Sequence, residues 1–359
     1  MFPLGLPPFL RAVLNPLLDP FSRYRHAKLI HATRVALGAL VSIVVTQAFG
    51  LPHGEWATIT LLVVIAGLQH HGNIRRKAFE RAFGTIIGCA CGLLLLVEQA
   101  QVGHIWLTWL LMAAACGVCA YYAIGKGGYI ALLSAITLVV VAGHGGDGNT
   151  LADGLWRTAD VLIGIAIALL FSFALPLYAT WSWRYKLADI LTEFGATYAR
   201  MIETPHPAAE VNVQSIARLR AGVVQLRSLM SSVASEVAMP IGSLEAIQRH
   251  LQVCISTLDL LPGMRPADSA PDDTPARLLP SDHTQGIRDA LTGMARALKY
   301  GADGSLDGHA MPADATDVPA SWKGHALLTR QLRGHVEELR QQLSDGARYW
   351  QMSNFQNRP

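Results

Sequence analysis

Residues 51–95, LPHGEWATITLLVVIAGLQHHGNIRRKAFERAFGTIIGCACGLLL, hold two apolar runs separated by a cluster of cations. The runs 56–70 and 82–97 contain no Lys, Arg, Asp or Glu, and between them stand Arg75, Arg76, Lys77 and Arg81. A hydrocarbon core of about 30 Å takes about 20 apolar residues as a helix, because every backbone N–H and C=O must be satisfied inside the segment. Working outward from this pair, four more such stretches appear, at 30–49, 105–124, 129–142 and 156–178. The pattern predicts an all-α fold. A six-transmembrane-helix bundle over residues 29–180 follows an N-terminal cytoplasmic or interfacial segment, 1–28, and precedes a helical cytoplasmic domain, 181–359. The runs 56–70, 82–97 and 129–142 are short, about 21 to 24 Å at 1.5 Å per residue, and need flanking residues or shielding inside the bundle.

Composition supports this division. The chain is 51% hydrophobic and 15% charged, where a soluble domain carries about 25% charged residues. Residues 1–179 hold 11 Lys+Arg and 7 Asp+Glu, against 18 and 19 in the remainder, so the apolar content sits in the first half. A net charge of +3 without a basic stripe excludes a nucleic-acid partner from the expectation. Lys and Arg near a membrane stay cytoplasmic. They occupy the stretch before the first span, the 71–81 linker, Lys126 and the start of the second half; 50–55, 99–104 and 143–155 contain none. Both termini are therefore expected on the cytoplasmic side of a bacterial inner membrane. Residues 1–21 are interrupted by Pro3, Pro7, Pro8, Pro16 and Pro20 and do not read as a secretory signal.

Helical spacing gives the spans faces. His31, Arg34, Gly38, Ser42 and Thr46 form a small and polar stripe on the first span; Gly84, Gly88 and Gly92 form a small-xxx-small stripe on the third; Arg157, Asp160, Gly164, Ala168 and Ser172 form another on the sixth. These faces are expected to look inward. A charge at mid-membrane costs at least about 2.5 to 3.5 kcal/mol, so each one is a functional candidate with a partner. For Arg34, Arg81, Arg157 and Asp160 two readings stand. Guanidinium groups forked for carboxylates can line an anion path. Equally, Arg157 and Asp160 at i, i+3 can form a shielded ion pair, Arg34 can snorkel, and Arg81 can anchor the inner interface. Trp56 reads as an interfacial ring or as a stacking surface for an aromatic substrate. Four of the cysteines lie in apolar spans without a histidine at ligand spacing and read as small packing residues; no nucleophile motif, phosphate loop or metal cluster occurs, and neither an enzyme nor a cofactor is expected.

Residues 51–95 resemble the fusaric acid resistance family, the aromatic acid exporters. Trp56 with Thr58 and Thr60, Gln69, the basic linker, and then Arg81, Gly84, Thr85 and Gly88 as Arg-x-x-Gly-Thr-x-x-Gly carry the likeness. Arg34 before a small-rich run, and Arg157, Asp160 and Gly164 before Pro176, extend it over residues 25–180. The resemblance implies a six-helix bundle with a helical cytoplasmic domain, and proton-driven export of aromatic or other organic carboxylates. It also extends to plant aluminium-activated malate channels, which makes a passive anion channel the alternative. The long exporters carry two membrane halves and two soluble halves, and this chain carries one of each. A homodimer follows, with the stripes of the first, third and sixth spans as interface or pathway. A periplasmic adaptor, known for some relatives, would find little surface on outer loops of about 6 to 13 residues.

Beyond residue 181 the code becomes amphipathic with ordinary charge. Helices are expected at 183–202, 211–239, 242–261, 284–300 and 321–350, with exposed linkers at 262–284 and 302–319. The third possible role, a membrane scaffold, predicts no anion flux.

Overall fold

Glycine spacing sets how closely the helices of the first half meet, and the structure shows where. The computed structural model describes residues 20–67, 70–125, 127–143, 151–204, 209–266, 274–278, 281–301, 306 and 318–350, and among them every regular element is helical. The all-α expectation holds. The chain divides into two compact units, Met1–Tyr178 and Ala179–Pro359.

In the first unit a short helix α1 (Pro20–Arg25) precedes six apolar helices: α2 (Ala27–Ala48), α3 (Glu55–Ile65), α4 (His71–Val102), α5 (Ile105–Ala123), α6 (Gly128–Ala142) and α7 (Leu151–Ala174). Four of them, α2, α4, α5 and α7, are long and apolar enough to cross a membrane; α3 and α6 are shorter. Two lengths depart from the sequence reading. At 11 residues α3 rises about 16 Å, only half the hydrocarbon thickness. At 32 residues α4 rises about 48 Å, because the basic stretch from His71 continues the helix although it is too polar to count as apolar span. The proline-rich segment 1–19, Gln69, Lys126 and residues 144–150 lie outside the described residues.

The expected stripes are buried. On α2 the buried positions are Ile30, Arg34, Gly38, Ser42 and Thr46, while Leu37, Leu40, Ile43 and Val44 face outward. The glycines of α4 lie against α6: a Cβ on Gly84 would come 2.8 Å from the Ile130 carbonyl oxygen, one on Gly88 would meet the Ser134 carbonyl and lie 2.7 Å from Thr137 Cβ, and one on Gly92 would come 2.8 Å from Val141 Cβ. Ser134 Oγ donates across the same seam to the Gly84 carbonyl at 3.1 Å. On α7, a Cβ on Gly164 would strike the Ala57 carbonyl of α3, and on α2 one on Gly38 would come 3.2 Å from Leu61 of α3. These stripes are consumed by packing within one chain, which corrects their candidacy as a surface shared between two copies. Helix α5 is the opposite case. Only Thr108 of its residues is buried, and Trp106, Leu110 and Tyr121 stand 75%, 67% and 78% exposed.

The second unit is a helical bundle of α8 (Ala179–Glu203), α9 (Ala209–Val237), α10 (Ile241–Leu260), α11 (Pro275–Leu278), α12 (Ser281–Tyr300) and α13 (Lys323–Asp345). Trp183, Leu187, Leu191, Phe194 and Tyr198 of α8 enter one core with Leu251 and Leu258 of α10, Leu291 and Leu298 of α12, and Leu332 and Leu339 of α13. Helix ends are closed by distant side chains. The Glu236 carboxylate accepts from the Ala179 and Thr180 amides at 2.9 and 3.0 Å, satisfying N–H groups at the start of α8. Fully buried Arg184 donates to the Leu298 and Ala297 carbonyls near the end of α12. Of the stretch read as a linker at 262–284, residues 267–273 lie outside the described residues, while Leu261–Met264 forms a 3-10 turn and Thr274 is buried. That stretch is thus partly folded: Thr274 and Pro275 are buried, and α11 and the start of α12 lie within it. Of the second, 302–319, only Leu306, which is buried, and residues 318 and 319 are described.

Two predictions follow from this packing. Gly88→Ala destabilises the detergent-solubilised protein by about 1 to 3 kcal/mol, since the Ser134 backbone cannot yield cheaply, whereas Gly117→Ala on α5, where a Cβ meets nothing, is neutral or stabilising by up to about 1 kcal/mol. Thermal unfolding midpoints of the two variants check this. In the second unit, burial and then the charge of Arg265 hold the His325 imidazole down at about 4 from 6.5. Between these values the unfolded chain binds a proton that the native unit refuses, so stability from this group is full above about pH 6.5 and falls toward pH 4 by up to about 1.4 kcal/mol per unit. His325→Leu makes that acid limb shallower, as read from the fluorescence of buried Trp322, whose ring lies 5.6 Å from His325.

Candidate functional site

Polar side chains of the first unit gather at three levels along the bundle. At the end where α2 and α4 begin and α3 and α7 finish, Arg34 is fully buried and donates Nη2 to His31 Nδ1 at 2.8 Å and Nη1 to the Leu175 carbonyl at 3.3 Å. Because a guanidinium only donates, His31 accepts at Nδ1 and carries its proton on Nε2, which donates to the Ala66 carbonyl at 2.9 Å. Ala66 and Leu175 lie just past the ends of α3 and α7, so this relay satisfies terminal carbonyls that no further helical turn reaches. Beside it the His71 amide donates to the Leu177 carbonyl at 2.8 Å, and the His71 ring shares a hydrogen bond with Ser172 Oγ at 2.9 Å. Arg34 therefore has a structural task at the helix ends, distinct from both the snorkelling and the anion-path readings.

At the second level α4 brings Arg81 against α3. Its Nη2 donates to Thr60 Oγ1 at 3.2 Å, its Nε has no hydrogen-bond partner among the described residues, and the residue is 9% exposed. No carboxylate pairs with it among the described residues. One helical step away Thr58 Oγ1 donates to Ser42 Oγ of α2 at 3.0 Å, and Ser42 and Thr60 are fully buried. Arg81 thus sits inside the bundle beside neutral hydroxyls, a costly place for a permanent cation.

The third level opens at the other end. A cavity of about 570 Å³ is lined by Ile43, Thr46, Gln47, Gly50, Leu51, His53, Gly54, Glu55 and Thr58. His53 holds a left-handed backbone, φ 65°, that turns the chain between α2 and α3. Asp160 of α7 is fully buried, and neither of its carboxylate oxygens has a hydrogen-bond partner among the described residues. The i, i+3 ion pair anticipated between Arg157 and Asp160 does not form: Arg157 turns to α6 and donates Nη1 to the Val140 carbonyl at 2.8 Å. Trp56 is half-buried at the start of α3, between cavity-lining Glu55 and Thr58. The structure gathers Arg34 with His31 and Arg81 with Thr60, and leaves Arg157 and Asp160 apart. It adds two separate hydroxyl contacts, Thr58 with Ser42 of α2 and Thr60 with Arg81 of α4. Sequence offered a signal for them in two threonines inside an aliphatic run, but a hydroxyl in a helix satisfies itself locally often enough that no partner could be named.

The profile of the fusaric acid resistance protein family matches residues 28–355. This chain belongs to that family. It is 32% identical over 248 residues to inner membrane protein YeeA of Escherichia coli (strain K12), covering 68% of each chain. It is also 29% identical over 163 residues to the p-hydroxybenzoic acid efflux pump subunit AaeB of Edwardsiella ictaluri, a match covering 41% of this chain and 24% of the pump subunit. The corresponding subunit of E. coli K12 is 30% identical over 128 residues, which span 30% of this chain and 19% of that subunit. With its long apolar helices, this member of the family is a multi-pass membrane protein.

Proposed function

We propose that this chain exports organic anions across the bacterial inner membrane as a proton-coupled secondary transporter, with aromatic carboxylates as the substrate class. The observation that carries the reading is Arg81: a cation held inside an apolar bundle against Thr60, with no carboxylate beside it among the described residues. A bound substrate carboxylate supplies the missing counter-charge in a bidentate geometry that guanidinium favours. The likeness to p-hydroxybenzoic acid efflux pump subunits supports the substrate class for this chain, which matches about a quarter of the Edwardsiella subunit's length. Arg34 and Arg157 flank the path at its two ends, Trp56 offers a ring face beside the outer cavity, and Asp160, buried without a hydrogen-bond partner among the described residues, is the group that exchanges a proton for the anion. Both termini and the second unit lie in the cytoplasm in this reading. The chain works as a homodimer whose contact uses the uncovered surface of α5 rather than the stripes spent on internal packing. Outer connections such as 49–54 and 103–104 leave a periplasmic adaptor little to hold.

Full-length protein reconstituted in liposomes tests this. Under an imposed pH gradient it moves p-hydroxybenzoate uphill; Arg81→Met, reconstituted to the same density, lowers the flux at least tenfold, and Asp160→Asn keeps downhill exchange but loses the response to the gradient. Unchanged flux in Arg81→Met contradicts the reading. Large currents that follow the anion's electrochemical gradient and ignore pH replace it with a passive channel.

A further inference from the structure

Two histidines and a glutamate of the second unit converge on one point. His250 lies on α10, and His335 with Glu338 lies on α13, three residues apart and so on one face. Glu338 Oε2 is 2.9 Å from His250 Nδ1 and 3.3 Å from His335 Nδ1, and the three donor atoms all fall within 4.8 Å of one another. We infer that His250, His335 and Glu338 form a binding site for one divalent transition-metal ion of the zinc type, clasping α10 to α13.

Donors bound at about 2.0 to 2.2 Å around one ion lie roughly 3 to 3.5 Å apart, the spacing that the carboxylate oxygen already keeps to both imidazoles. A hydrogen bond alone needs one imidazole on that oxygen, and here two present the same ring nitrogen to it. Glu338 is also kept available. The nearby Arg340 guanidinium is taken up by Glu337, at 2.9 Å from Nε, and by the Leu306 carbonyl, and no Lys or Arg pairs with Glu338 among the described residues. The side chains of His250, His335 and Glu338 are 23%, 34% and 57% exposed, so an ion reaches them from solvent and keeps a position for water. Two nitrogens and one oxygen suit Zn²⁺, Ni²⁺, Co²⁺ or Cu²⁺, whereas Mg²⁺ and Ca²⁺ take all-oxygen shells. Cys254, one turn beyond His250, is buried with its thiol pushed up to about 12 by desolvation, the Glu338 charge adding to the shift, and stays outside the donor set. The ion joins two helices distant in sequence and binds only when they are packed, so it stabilises the folded unit.

The test uses the full-length chain in detergent, stripped with a chelator and titrated with ZnCl₂ by calorimetry, with metal retained after desalting counted per chain. One Zn²⁺ per chain is expected at this site, with affinity at least tenfold weaker in His335→Ala and in Glu338→Gln, unchanged in Cys254→Ser, and with no binding of Mg²⁺. X-ray absorption at the zinc edge of the loaded wild type is expected to show two imidazole nitrogens and a carboxylate oxygen. Retention of equal zinc by wild type and Glu338→Gln overturns the proposal, as does failure of the wild type to retain any, or a zinc shell containing sulfur. Glu338→Gln preserves side-chain volume and a hydrogen-bond acceptor, so it decides the matter even where a histidine variant unfolds.

Discussion

Backbone-to-backbone approach along the glycine seams is the constraint on which the first unit depends. In hydrocarbon there is no solvent to drive apolar faces together, so helices associate by close packing and by hydrogen bonds between groups that lipid cannot satisfy. Gly84, Gly88 and Gly92 let the α4 backbone approach α6 at three successive turns, and Gly164 does the same for α7 toward α3. Ser134 completes the seam by donating to the Gly84 carbonyl. Arg81, buried on α4 together with Gly84 and Gly88, reaches Thr60 on α3.

The same constraint explains why the polar groups divide into two kinds. Some meet backbone carbonyls near helix ends: Arg34 and His31 at the ends of α3 and α7, and Arg157 in the last turn of α6. Others close no helix end: Arg81 donates to the Thr60 hydroxyl and, like Arg157, leaves Nε without a hydrogen-bond partner among the described residues, and Asp160 has no such partner at either oxygen. A bundle that needed only to fold would gain by replacing the second kind with apolar residues of equal volume. Their place in the interior is the physical basis of the proposed anion path, and in that proposal the cavity between α2 and α3 is its mouth.

Fold class was legible because apolar runs and cation clusters alternate over residues 29–180, and the α2 stripe was legible because Arg34, Gly38, Ser42 and Thr46 stand out at helical period from an aliphatic background. Helix length was not. Hydropathy marks what lies in lipid, so it missed the basic first turns of α4, and it carried α3 past Ile65 into a stretch where the chain turns. A glycine stripe announces a close neighbour without naming it; only the fold assigns Gly88 to Ser134 and Thr137. The Arg157–Asp160 pairing failed because an arginine can reach across to a carbonyl on another helix as easily as along its own. His250 and His335 come together through the packing of α10 on α13, a long-range contact with no local signature.

Single cysteines placed in a cysteine-free background and exposed in native vesicles to a small membrane-impermeant methanethiosulfonate reagent test the central claim most directly. The account predicts that cysteines at Ser42, Thr60 and Asp160 react, and that p-hydroxybenzoate slows their reaction, while cysteines at outward-facing Leu40 and Leu110 stay inert. Inert interior positions, or interior reaction rates that no aromatic carboxylate alters, would contradict it.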